Sequence, residues 1–147
     1  MKKIFTLLAA TLITVVSYAQ TTPSLEGTWL TESGKAKIKI VKIGDVYNGA
    51  IVWLKEPLRP DGKAKLDDKN PDSKLRSRAI LGMNLLSGFK KISEGKYEDG
   101  KIYNAENGKL YSCVIKIKSD KLIDVRGYVG ISLIGETQVW YRVADVK

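Results

Sequence analysis

The feature that most constrains this chain is a two-residue rhythm of apolar and charged side chains that recurs from residue 27 to residue 143. In Ala36-Lys37-Ile38-Lys39-Ile40 the aliphatic residues fall on one face and the lysines on the other. Tyr111, Cys113, Ile115 and Ile117 oppose Lys116 and Lys118 in the same way. Side chains separate like this along an extended strand with one buried face. The rhythm predicts eight strands, over 27–31, 36–43, 46–54, 85–91, 96–103, 110–118, 122–129 and 136–143. Gly44-Asp45, Asn107-Gly108 and Ser119-Asp120 supply tight turns between neighbours. Such a set favours an all-β fold, an antiparallel up-and-down β-barrel whose closure removes both sheet edges. A barrel of this size encloses packed side chains or one small ligand. A two-sheet sandwich is the alternative.

Three places break the rhythm. At Ile40-Val41 an extra apolar residue shifts the phase, which predicts a β-bulge. Ala50 to Leu54 is apolar on both faces, so something must cover the second one. Lys55 to Lys69 is long, charged and carries Pro57, Pro60 and Gly62, the composition of a functional lid. After it, Asn70-Pro71-Asp72 reads as a helix start, with Asn70 as the cap, and predicts one short helix through about Arg78.

Residues 1–19 read as an export signal: Lys2 and Lys3, an apolar stretch from Ile4 to Val16, then the small-x-small pattern Ser17-Tyr18-Ala19. Cleavage before Gln20 leaves 20–147 as a single barrel domain, periplasmic or extracellular. No later apolar run is long enough to span a bilayer as a helix. Cys113 is the only cysteine and excludes an intramolecular disulfide. The net charge of +9 favours anionic partners, although many lysines alternate along strands as a solvated face does. No nucleic-acid-binding module is present, and an exported protein has little occasion to meet nucleic acid. Oligomeric state is not readable from the sequence.

Chemistry is constrained mostly by what is missing. There is no histidine, which removes the commonest general base and zinc ligand. No nucleophile elbow, phosphate-cradling loop or dinucleotide fingerprint occurs, so no catalytic residue, metal or cofactor is assigned. Asp68 to Asp72 matches the opening of a calcium loop, but Ser73 and Ala79 replace its essential glycine and glutamate. Helix capping explains Asn70 and Asp72 with less, leaving at most a weak surface site at Asp67 and Asp68.

Arg126 is the polar strand residue of most interest. If Ile123 and Val125 fill the core, Arg126 faces solvent. If it points inward, it needs a carboxylate from Glu136 or a bound anion, with Tyr128 and Gln138 nearby. Trp53, Tyr111 and Phe89 are the candidate walls of such a cavity.

Gly27 and Trp29 on the first strand, with Arg142 on the last, resemble the closing plug of lipocalin-like barrels. There the indole fills the closed end and the guanidinium stacks on its face. Taken in order, a larger set of segments carries a family resemblance. These are Gly27-Thr28-Trp29, Gly49 to Leu54, Asn70-Pro71-Asp72 with Arg76 and Arg78, and Leu81-Gly82-Met83. Gly100 to Tyr103, Gly108 to Tyr111, Arg126 to Gly130 and Thr137 to Arg142 complete it. The chain resembles the exported bacterial family called domain of unknown function 2147, departing at Ala105, where the family tends to have proline. The resemblance implies a lipocalin-like barrel and brings no activity or site residue with it.

The sequence therefore reads first as an exported barrel binding a small amphipathic or anionic molecule, such as a lipid or envelope metabolite. The alternative is a packed envelope module that uses Ala50 to Leu54 as an interaction patch on a polymer or protein. Third comes an enzyme built from tyrosine, arginine and carboxylates, which this reading disfavours.

Overall fold

In the computed structural model, residues 22–131 and 133–147 are described; the export signal read over 1–19 lies outside them. Eight strands follow one another: β1 (Gly27–Leu30), β2 (Ala36–Ile43), β3 (Val46–Leu54), β4 (Asn84–Ser93), β5 (Lys96–Asn104), β6 (Lys109–Ile117), β7 (Leu122–Tyr128) and β8 (Gly135–Val143). Each pairs antiparallel with the next, and β1 pairs with β8, so the sheet closes into an up-and-down barrel. That excludes the sandwich.

Alternation decides which residues go inside. Ile38 and Ile40 of β2, Cys113 and Ile115 of β6, and Ile123 and Val125 of β7 are all buried, while Lys39, Val114 and Asp124 between them turn to the outer face. The bulge, however, is not at Ile40-Val41. Val41, Lys42 and Ile43 run out into solvent where β2 leaves the core. The β2–β3 register shifts instead between Lys37 and Ile38, where Lys37 pairs with Trp53 but Ile38 pairs with Ile51. Val52 is the extra residue, and it turns Trp53 to the outer face, where the Lys37 ammonium lies 5.0 Å from the ring centre.

The two-sided run on β3 is paired along its edge by the returning segment, and on its outer face Lys37 lies over Trp53. Ile51 donates its N–H to the Met83 carbonyl (3.0 Å) and accepts from Gly82 (2.8 Å), so the returning segment lies along it. Ile51 is buried, and no exposed patch is left there.

The expected helix shrinks to one 3-10 turn, Ser73–Leu75. Its cap is Asp72, whose carboxylate accepts from the Lys74 N–H, and not Asn70. Asn70 is buried and used elsewhere. Pro71 fits a helix start by local chemistry, but the tertiary demand on Asn70 wins.

Candidate functional site

The two ends of the barrel are built differently. At one end, the side of the short β2–β3, β4–β5 and β6–β7 turns, Trp29 is fully buried and its indole N–H donates to the Leu25 carbonyl at 2.9 Å. Arg142 is its cross-strand partner, and the guanidinium carbon stands 4.2 Å from the indole centre. Its nitrogens donate to the carbonyls of Glu26 (2.8 Å), Asp120 (2.5 Å) and Ser24. Gly27 lies beneath it with φ near +135°, and a Cβ there would be 2.3 Å from the guanidinium. Above this plug Tyr47 and Tyr97 meet edge to face at 4.9 Å, and Phe89 is buried against Gly100. This half is solid.

The other half is hollow. A cavity of about 870 Å³ opens between the β1–β2, β3–β4, β5–β6 and β7–β8 connections. Its wall is largely aliphatic and aromatic, with Ile51, Leu54, Leu85, Ile102, Tyr111 and Trp140 among the lining side chains. Gln138 lines the cavity beside Trp140. Its Oε1 accepts from the Trp140 indole N–H at 3.0 Å, which fixes the orientation of the amide. Around the mouth, Lys35, Lys55 and Lys65 are matched by Glu56, Glu106 and Glu136, so the rim carries both signs.

The β3–β4 connection is an ordered strap, pinned by one buried carboxylate. Asp67 is 0% exposed. Its oxygens accept from the Tyr103 hydroxyl (2.5 Å), the Asn70 amide (2.7 Å) and the Arg78 guanidinium (2.7 Å). Burial by itself would raise this carboxyl, but the three hydrogen bonds and the Arg78 charge together outweigh it and hold it below the usual carboxylate range. Burial and the Asp67 carboxylate push the Tyr103 hydroxyl up to about 12. The pair therefore stays ionised at Asp67 and protonated at Tyr103 through the physiological range, which suits a latch rather than proton transfer. With both oxygens committed, a cation at Asp67 would have to displace Arg78. The strap also rests on the β5–β6 turn: Gly108 has φ near +69°, and a Cβ there would be 1.9 Å from the Lys69 carbonyl oxygen.

The candidate ligand residues separate by face. Tyr111, Gln138 and Glu136 line the cavity, and Tyr128 stands at its mouth. Arg126 does not. It lies on the outer face with Asp124, Lys116 and Thr137, donating to the Thr137 hydroxyl (2.9 Å) and the Leu133 carbonyl (3.4 Å). Trp53 is outside under Lys37, and Phe89 belongs to the solid half. The sequence reading missed Ile102, Tyr103 and Leu54 as walls, although Gly100-Lys101-Ile102-Tyr103 and Gly108-Lys109-Leu110-Tyr111 share a pattern that makes Tyr103 the counterpart of Tyr111. The sequence reading offers Asp67 only as half of a weak surface cation site, whereas the structure buries it and commits both its oxygens to the strap. Cys113 is buried, and burial pushes its thiol up to about 12, which keeps it unreactive.

Among the described residues there is no group of three or more metal-ligating side chains, and no helix is long and apolar enough to cross a membrane. A family model described as "Uncharacterized protein conserved in bacteria (DUF2147)" matches residues 27–142. A solved structure, described as protein HP1028 from the human pathogen Helicobacter pylori and as belonging to the lipocalin family, is similar at a TM-score of 0.74 and 27% sequence identity. The likeness covers 84% of this chain and 86% of that one. Among curated proteins, none matches.

Proposed function

The chain belongs to the bacterial family called domain of unknown function 2147, and from that premise we propose that it is an exported protein whose cup holds a small, largely apolar molecule. The observation that carries the reading is the cavity. Its volume of about 870 Å³ falls within the roughly 300–1,000 Å³ typical of small-molecule sites. A largely apolar wall with a few polar groups, the Gln138 amide among them, fits a guest with an apolar body, because each buried CH₂ gains about 0.8 kcal/mol on leaving water. The mixed charges at the rim suit a polar end left near solvent. A lipid or an amphipathic envelope metabolite has this shape. Export, read from residues 1–19, would place the protein in the periplasm or outside the cell. The likeness to a lipocalin-family structure supports the same use of the barrel.

The surface-module reading has less support, since Ile51 is buried and Trp53 is capped by Lys37. Two measurements test the proposal. Native mass spectrometry of protein from its own host should show a bound small molecule, released on denaturation. Titration with a fluorescent fatty acid should saturate with one site, and Ile102→Trp combined with Leu85→Trp, which place two indoles in the cup, should weaken binding at least about tenfold. Equal binding by the doubly substituted variant would reject the cup as the site.

A further inference from the structure

The β7–β8 connection projects from the rim of the cup, and its chemistry differs from the rest of the mouth. From Val129 to Gly135 it carries no charged side chain. Val129, Ile131, Leu133 and Ile134 are 66%, 59%, 84% and 68% exposed. Its described residues are tied together: Val129 donates to the Ile134 carbonyl (3.4 Å), Ile134 to that of Ile131 (3.1 Å), and Arg126 to that of Leu133 (3.4 Å). Adjacent aliphatic side chains held in water are unfavourable unless something covers them. Val129 and Ile134 also line the cavity, so the apolar tip runs directly into the cup.

What covers the tip follows from its size and surroundings. A stable protein interface, whether with a second copy or another protein, buries about 800 Å² and about 20–30 residues on each side. A four-side-chain tip falls far short. A bilayer needs no shape complementarity, because apolar side chains enter it one by one. At the root of the loop stand Tyr128 and Arg126, an aromatic and a basic residue at the level where headgroups would lie. The net charge of +9, which is +7 once Lys2 and Lys3 leave with the export signal, matches an anionic leaflet.

We propose that the β7–β8 loop docks the barrel on a lipid bilayer containing anionic headgroups, with the mouth of the cup facing the membrane. Docking stands on the loop alone; passage of a guest between bilayer and cup rests on the binding function proposed above. The test is flotation of the protein with vesicles of phosphatidylcholine and phosphatidylglycerol, combined with amide hydrogen exchange. The protein should float with the vesicles, less so as salt is raised, and the amides of 129–134 should exchange more slowly. Leu133→Asp, a change at an exposed position, should weaken flotation at least about tenfold and leave fatty-acid titration unchanged. Three results would overturn docking: no flotation, equal flotation of the variant, or unchanged exchange at 129–134. Protection of the loop that rises with protein concentration in the absence of lipid would also overturn it, in favour of a second copy. If flotation holds while the cup binds no fatty acid, the binding function fails and docking stands.

Discussion

The two ends of this barrel use the same strands for opposite purposes. At the plugged end every inward residue meets another, and one arginine satisfies three carbonyls while covering an indole. At the open end the inward residues stop short of one another, and polar chemistry is moved outward to a strap held by Asp67. The difference teaches that stability and capacity are separable here.

The sharpest way to break that comparison is at the plug. Trp29→Ala should cost about 3–5 kcal/mol in chemical denaturation, because a fully buried aromatic leaves a void and Arg142 loses its platform. A loss under 1 kcal/mol would mean the plugged end is not where stability resides. Next in size is the latch. Tyr103→Phe removes one hydrogen bond to a buried carboxylate, which should cost about 1–3 kcal/mol. Its signature should be local: faster amide exchange across 55–83, with 27–43 unaffected. A uniform change over the whole barrel would show that strap and barrel open as one unit.

Acid should act on the same latch. The folded carboxyl of Asp67 lies below its ordinary value, so its contribution is fully present above about pH 4 and is lost as pH falls through the depressed folded value. Protection across 55–83, measured against the intrinsic exchange rate at each pH, should therefore hold at neutral and mildly acid pH and fall only under strong acid. Loosening near pH 6 would contradict the assignment. The smallest effect concerns Cys113. A thiol reagent should leave it unlabelled in the folded protein, since burial disfavours the thiolate; rapid labelling would mean that the solid half breathes.

The barrel was legible because its signal is local and repeated. Period two places Ile123 and Val125 inward and Arg126 outward whatever the distant partners are, yet a buried guanidinium with an anion satisfies the same pattern. What decides between the two is that Ile123 and Val125 are the buried pair on β7, with Gln138 opposite Val125 lining the cavity. The bulge was misplaced because an apolar Val41 at a strand end looks like a phase shift, whereas the real extra residue, Val52, sits within a continuous apolar run. The strap was the least legible part. Asn70-Pro71-Asp72 carries the local chemistry of a helix start, but the partners that matter to Asn70 and Asp67 include Tyr103, on a strand 36 residues from Asp67. No window on the sequence brings those residues together.

The most direct test of the two-ended account is to titrate the protein with a fatty acid and follow side-chain resonances at both ends by NMR. The account predicts shifts at Ile102, Tyr111, Gln138 and Trp140, with Trp29 and Phe89 unmoved. Shifts concentrated at Trp29 and Phe89, or at neither end, would contradict it.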